Sequence, residues 1–274
     1  MPAPLLGESM TNWLVVTDLD ATLLDHETYS YAAALPAIER LKARNAPIIF
    51  NSSKTQAEQV RLRSALGLQA PFIVENGAAV VIPPGQLDHP STAATDKIQS
   101  FGPAYDGLVQ QVDELRRQHG YRFRGFADMS AAEVAEVTGL SAPEAEAAKQ
   151  RTGSEPLLWQ DSEAAYGAFQ GDLAHLNLQT TQGGRFRHVT AQTDKGQALT
   201  WLVNQYRTLF PAVSWTVVAL GDSPNDIPML RVADVAILIP NPHRPAFVVT
   251  DISGLKQATQ TGPAGWAETI LGLL

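Results

Sequence analysis

The sequence predicts an α/β fold: a parallel sheet with crossover helices, interrupted by an inserted α+β module. Three observations predict it. Short, apolar, β-branched runs alternate with amphipathic segments toward both ends of the chain. That rhythm stops after Pro83-Pro84-Gly85 and returns only after Thr193. The apolar runs on both sides of the break end in polar residues, as strands do where a parallel sheet binds ligands at their carboxyl ends.

Taken in order, the WLVVT run at 13–17 reads as a buried strand ending in Asp18. Residues 32–45 follow as a helix, with Ala34, Leu35, Ile38 and Leu41 on one face. A second strand at 47–50 ends in Asn51-Ser52-Ser53. A helix at 55–66 aligns Val60, Leu62, Ala65 and Leu66, and a third strand covers 71–74. Strand, helix and strand joined by short links imply parallel pairing. The next stretch, 86–100, is polar. From about 104 to 190 the expected order is long helix, strand (121–126), two helices, strand (157–160), helix, strand (185–190). Ser130 with Glu133, and Ser141 with Glu144, fit the capping-box pattern at two helix starts. A helix at 195–208 aligns Leu199, Leu202, Val203 and Tyr206. Then come a strand at 217–220 ending in Gly221-Asp222, a short helix at 226–232 and a strand at 235–239. The expected division is a core formed by 1–85 and 191–274, with 86–190 inserted.

Composition narrows the function. Twenty Lys and Arg against 28 Asp and Glu give a net charge of −8. That argues against non-specific nucleic-acid or anionic-membrane partners, which are held by Lys and Arg. The absence of cysteine excludes disulfides, thiolate metal sites, Fe–S clusters and a cysteine nucleophile. It also fits a reducing compartment. No apolar run approaches the roughly 18–20 residues that span a bilayer. MPAPLLGESM at 1–10 has no basic residue and no long apolar stretch. It reads as a loose leader rather than a signal peptide, with Met10 a second possible start. The expectation is a cytoplasmic protein with a small-molecule partner.

Polar residues cluster at the expected strand ends: Asp18 and Asp20, Ser52, Glu75-Asn76, then Asp222 and Asp226. Carboxylates gathered at one edge repel unless a cation sits among them, and oxygen ligands of this kind suit Mg²⁺. An Asp-x-Asp pair alone carries little, because Asp is common in turns. The ordered set, with Lys195 between its members, carries much more.

That set resembles a known family. DLDATLLD at 18–25, NSSKT at 51–55, DKG at 194–196 and GDSPND at 221–226 resemble the four motifs of the haloacid dehalogenase superfamily of phosphohydrolases. ENGA at 75–78 resembles its branch with a large α/β cap inserted after the third strand. SSKT at 52–55, ENGAAVVIP at 75–83, TGL at 138–140, Arg151 followed by Glu155-Pro156, and GGRFRHV at 183–189 resemble the mannosyl-3-phosphoglycerate phosphatase family.

The resemblance implies a Rossmann-like hydrolase core under a substrate-selecting cap. It implies Mg²⁺-dependent hydrolysis of mannosyl-3-phosphoglycerate to mannosylglycerate, a compatible solute, through an aspartyl-phosphate. Asp18 is then the nucleophile and Asp20 the general acid and base. Ser52 and Lys195 contact the phosphoryl group. The metal is held by Asp18, Asp20 (through its backbone carbonyl) and Asp222, with Asp226 beside it or one layer out. Ser53, Lys54, Asn76, Arg185, His188 and Asn225 are the expected substrate contacts, with Arg185 on the glycerate carboxylate. Arg151, Glu155 and Arg185 have an alternative role as braces of the cap. Glucosyl-3-phosphoglycerate and sucrose phosphate are alternative substrates, and a non-catalytic receiver module is the alternative class. One departure stands out: the family usually has Gly after the second Asp, where this chain has Ala21. A negative φ there costs Ala little; a positive φ strains it.

Overall fold

The computed structural model describes residues 12–183, 185–244 and 247–274. The expected leader and Gly184 of the GGRFRHV motif lie outside them. The first half runs β1 (Asn12–Thr17), α1 (Leu35–Ala43), β2 (Ile48–Phe50), α2 (Gln56–Ala65), β3 (Phe72–Val74), β4 (Ala79–Ile82), β5 (Lys97–Ser100), α3 (Tyr105–His119), β6 (Phe123–Gly125), α4 (Ala131–Thr138) and α5 (Ala142–Lys149). The second runs β7 (Ser154–Trp159), α6 (Glu163–His175), β8 (Leu178–Gly183), β9 (Phe186–Ala191), α7 (Lys195–Leu209), β10 (Trp215–Gly221), α8 (Ile227–Val232), β11 (Val235–Leu238), β12 (Lys256–Gln257) and α9 (Gly262–Leu273).

A parallel sheet in the order β12-β11-β10-β1-β2 forms the centre. Strands β11, β10, β1 and β2 are largely apolar because both faces are covered, whereas β12 at the edge is polar and exposed. Val15 of β1 packs with Phe50, Ile38, Leu41 and the fully buried Trp266 on one face. Its neighbours Leu14 and Val16 pack with Leu199, Leu202 and Tyr206 on the other. Trp266 also donates its indole N–H to Thr17 Oγ1 at 3.0 Å, tying α9 to the end of β1.

Beyond β2 the sheet continues through a parallel bridge between Asn51 and Ile73. The chain then turns antiparallel, giving a β3-β4-β5 meander. The sequence reading lacks β4 and β5. β4 is hidden because a single 3-10 turn, Glu75–Gly77, separates it from β3. β5 reads as loop because KIQS is a polar, largely exposed edge strand. It lies beyond the expected 85/86 boundary, yet Ile98 pairs with Val81 of β4.

The inserted elements form an antiparallel sheet, β6-β7-β9-β8, with α3 to α6. They bury apolar clusters of their own: Leu108, Phe123, Leu157, Phe169 and Val189 in one, Phe126, Met129, Val134, Ala145 and Phe186 in another. β8 was not expected; LQTTQG is a mostly polar edge strand with a single core side chain, Leu178. Both expected capping boxes are present. Glu133 accepts from Ser130 N at 2.8 Å, and Glu144 accepts from Ser141 N at 2.9 Å.

The two parts meet through backbone chemistry. Glu75, fully buried, accepts hydrogen bonds from Thr152 N (2.7 Å), Gly153 N (3.2 Å) and Ser154 Oγ (2.7 Å). Arg151 donates to Ser53 O at 3.2 Å, and Thr55 Oγ1 donates to Ala147 O at 2.9 Å. The inserted sheet is therefore seated over the loops that leave β2 and β3.

Gly77 sits in the same turn at φ 97°, and a Cβ there would fall inside the backbone carbonyl of Asp194. Asp194 caps α7 by accepting from Gly196 N and Gln197 N, both at 2.8 Å. Gly77→Ala is expected to cost more than about 2 kcal/mol, from the left-handed φ and the backbone collision together. A urea titration that leaves the midpoint unchanged would contradict this account of the turn.

Candidate active site

Every expected catalytic position sits at the carboxyl edge of the parallel sheet or at a helix start facing it. Asp18 follows β1, its N–H held by Leu220 O at 2.9 Å. Ser52 follows β2, Asn76 follows β3, and Asp222 follows β10. Lys195 is the first residue of α7, and Asn51 Nδ2 donates to its carbonyl at 3.0 Å.

Lys195 is almost wholly buried, and its ammonium donates to Asp18 Oδ1 at 2.7 Å and to Asp226 Oδ1 at 2.6 Å. Burial alone would pull the amine's pKa down, but the charges of Asp18 and Asp226 raise it above its ordinary value. Asp226 is fully used: its Oδ2 accepts from Asp222 N (3.0 Å), Ser223 N (3.0 Å) and Ser223 Oγ (2.9 Å). It holds the loop and the lysine together. Asp222 accepts from Thr22 Oγ1 at 3.0 Å and from Asn241 Nδ2 at 2.6 Å.

Asp18, Asp222 and Asp226 each bring one carboxylate oxygen within 4.8 Å of the others. Three carboxylates against one ammonium leave two negative charges in a buried space. Burial, followed by the charge of Asp226, raises the pKa of Asp222; burial also raises that of Asp18 well above the ordinary value, against the opposing pull of Lys195. A divalent cation fits this donor set in charge and in ligand type. Asp18 and Asp222 are the residues to hold it, since Asp226 already accepts four hydrogen bonds whereas each oxygen of Asp222 accepts one.

Above this floor lies a cleft of about 310 Å³. Asp18, Asp20, Ser53, Lys54, Asn76, His188 and Asn225 line it, so six of the expected residues share one cleft with the nucleophile position. Asn225 Nδ2 donates to Asn76 Oδ1 at 3.1 Å, joining two of them. Lys54 pairs with Asp20 at 3.1 Å. Burial works against its charge, but Asp20 and then Glu58 raise its pKa. Ser52 lies one layer below, its Oγ accepting from Lys54 N at 3.3 Å.

Arg185 departs from expectation. It is exposed, is not among the residues lining the cleft, and donates to Val137 O at 2.8 Å. Val137 is in the last turn of α4, where free carbonyls attract a cation. Arg151, which lines the cleft, and Glu155 are both engaged by hydrogen bonds within the chain. Arg151 bonds Ser154, Ala148 and Ser53. Glu155 accepts from Tyr105 Oη (2.6 Å) and Ala127 N (2.8 Å). Asn241, His26 and Arg244 were not expected, yet they line the cleft. Asn241 stands just past β11, where the strand-end rule that found Asp18 applies equally.

A family model for haloacid dehalogenase-like hydrolases matches residues 15–101 and 157–252. The chain belongs to the haloacid dehalogenase-like hydrolases. Among this hydrolase's relatives is a glucosyl-3-phosphoglycerate/mannosyl-3-phosphoglycerate phosphatase of Methanococcoides burtonii, 37% identical, covering 95% of this chain and 97% of that one. A protein of the same name from Persephonella marina is 34% identical, with 95% and 97% covered. The fold is similar to a phosphatase of the haloalkanoate enzyme superfamily from Bacteroides thetaiotaomicron, with TM-score 0.67 and 17% identity, covering 99% of this chain and 98% of that one. The hydrolase is a phosphoric monoester hydrolase, which removes the receiver-module alternative. Among the described residues, no helix is long and apolar enough to cross a membrane.

Two predictions follow from the floor of the site. The raised pKa values mean that the folded chain holds protons at Asp18 and Asp222 more tightly than the unfolded chain does. With no cation bound, their contribution to stability is therefore lost as pH rises from the ordinary carboxylate range through the raised values. A divalent cation at a hundred times its dissociation constant should add about 2.7 kcal/mol. Asp222→Asn should abolish that gain without lowering the melting temperature of the metal-free protein; an undiminished gain would remove Asp222 from the site. At Ala21 the backbone φ is 61°, and the residue is buried. The favourable case for Ala, a negative φ, is thus not met. Ala21→Gly should stabilise by about 0.5–1 kcal/mol, the left-handed cost of about 1–2 kcal/mol less the entropy glycine loses on folding. Differential scanning calorimetry would detect it, and a destabilisation would contradict it.

Proposed function

We propose that this hydrolase removes phosphate from a glycosyl-3-phosphoglycerate, with mannosyl or glucosyl as the sugar and Mg²⁺ as the cation. The observation that carries the reading is the full-length similarity to phosphatases named for those two esters. The cleft supports it: Phe126, Leu140, Pro156 and Phe186 give it apolar surface suited to the faces of a sugar ring. On this reading, the segment 86–190 acts as the cap that chooses the substrate, and the core does the chemistry. The reaction then runs in a cytoplasmic setting on a small, anionic glycoside.

Asp18 is the nucleophile. Its carboxylate attacks phosphorus in line, the P–O bond to glycerate C3 breaks, and an aspartyl-phosphate forms. Asp20 gives its proton to the departing oxygen, then takes one from the water that attacks the aspartyl-phosphate. The second step returns Asp18 and releases inorganic phosphate. Lys195, fixed from below by Asp226, keeps a positive charge beside Asp18 as charge builds on the phosphoryl oxygens. Ser52 offers a hydroxyl to the same oxygens. Asp18, Asp222 and the backbone carbonyl of Asp20 would hold Mg²⁺, which when bound would shield the nucleophile's charge from that of the phosphate. Lys54 is well placed to orient Asp20, with which it pairs.

Phosphate release from a panel of mannosyl-3-phosphoglycerate, glucosyl-3-phosphoglycerate, sucrose phosphate and p-nitrophenyl phosphate tests the substrate. The glycosyl-3-phosphoglycerates should give the highest kcat/KM, and a clear preference for sucrose phosphate would overturn the reading. Asp20→Asn should slow phosphorylation by about 10²–10⁴-fold on the natural ester. It should slow p-nitrophenyl phosphate much less, because that leaving group needs little protonation. Equal losses in single-turnover assays would deny Asp20 its role as acid.

A further inference from the structure

A glycosyl-3-phosphoglycerate carries a carboxylate beside its phosphate, and the cleft must meet both charges. Four side chains with fixed or strong positive charge bear on the question: Lys54, Arg151 and Arg244 line the cleft, and Arg185 was expected to. Lys54 is paired with Asp20. Arg151 has a buried side chain that donates from Nε to Ser154 O, from Nη1 to Ala148 O and from Nη2 to Ser53 O and Ser154 Oγ, and it lies 3.5 Å from Glu75. Arg185 is turned to the end of α4. Arg244 remains. It is exposed at the cleft wall, and its guanidinium makes no hydrogen bond or ion pair with any described residue.

Its loop is nonetheless fixed. His243 N donates to Asn241 Oδ1 at 3.0 Å, and Asn241 Nδ2 donates to Asp222 Oδ2 at 2.6 Å. The ring of His243 stacks on that of His26, with centroids 4.0 Å apart, across from the segment that follows Asp20. The guanidinium is thus carried by a turn tethered to a residue of the catalytic floor. Arg244 lines the same cleft as Asp18, and the substrate's carboxylate is carried close to its phosphate on the glycerate chain. Of the remaining cap lining, Phe126, Leu140 and Phe186 are apolar, and Thr138, Gln182 and His188 are polar but carry no guanidinium or ammonium.

We propose that Arg244, on the core side of the cleft, is the specificity-determining cation for the substrate's carboxylate, and that the sugar is turned toward the cap. The proposal rests on the glycosyl-3-phosphoglycerate reading. The ligand class is an α-substituted carboxylate adjoining a phosphomonoester, and the contact is a charge-assisted, planar guanidinium–carboxylate pair.

The test compares glucosyl-3-phosphoglycerate with its carboxamide analogue, in which only the carboxylate charge is removed. Wild type should favour the acid over the amide by about tenfold to a hundredfold in kcat/KM. Arg244→Gln should bring that ratio to within about twofold of one, chiefly by raising KM for the acid, and Arg244→Lys should restore part of it. Arg185→Ala should keep the wild-type ratio. Because both esters are assayed on one preparation, the ratio does not depend on how much of the variant is folded. If Arg244→Gln retains the wild-type preference for the acid, the assignment of Arg244 is overturned while the substrate reading stands. If wild type turns over neither glycosyl-3-phosphoglycerate, the substrate reading itself falls, and the proposal with it.

Discussion

One buried ammonium organises this molecule. Lys195 lies between Asp18 and Asp226, and the three arrive from well-separated parts of the chain. Removing such charges from water is costly, so each element that delivers one is tightly specified. Asp194 starts α7 at the right residue, Gly77 lets the β3–β4 turn press against Asp194, and Asn51 holds the lysine's carbonyl. Asp226 uses its second oxygen to gather the backbone of Asp222 and Ser223. The result is a rigid floor with an excess of negative charge. That excess makes a divalent cation a structural counterpart as well as a chemical one.

The cleft above this floor divides the work by polarity. The core contributes carboxylates, amides and cations from strand ends and loops. The inserted module contributes an aromatic and aliphatic surface, Phe126, Leu140, Pro156 and Phe186, with Thr138, Gln182 and His188 as its uncharged polar points and Arg151 held by its own braces. A substrate that is anionic at one end and a sugar at the other matches this asymmetry without any charge inversion of the acidic chain as a whole. Local cations, fixed at short range, outweigh a diffuse net charge that salt screens.

Much of this was legible in the sequence, for identifiable reasons. A parallel sheet leaves strong traces, since its strands are continuous apolar runs and its ligand edge is marked by where those runs stop. Asp18, Ser52, Asn76 and Asp222 were found by that rule, and all four stand at the ends of β1, β2, β3 and β10. Strands at sheet edges left no such trace: β5 and β8 are polar and were missed. Side-chain direction was the other hidden variable. Arg185 follows a glycine pair and so reads as a ligand contact, but the free carbonyls ending α4 are nearer. Arg244 sits in an irregular PNPHR loop, where only the fold reveals that Asn241 anchors the turn to Asp222. Ala21 could be flagged from sequence, but its sign could not, because that depends on a φ of 61° set by the packing around it.

The turn at Glu75 to Gly77 bears on how far the two halves of this protein are interchangeable parts. Three successive residues with left-handed φ, 52°, 58° and 97°, bring a carboxylate to one side and an amide to the other. Glu75 faces the Thr152–Ser154 amides and hydroxyl, and Asn76 faces Asn225. A chimaera built by cutting at 85/86 and 190/191 would keep the carboxylate with one parent and take its donors from the other. The heritable module is therefore larger than the domain seen by eye: a transplanted cap has to travel with residues 75–77, or with a recipient whose own turn offers the same acid in the same place.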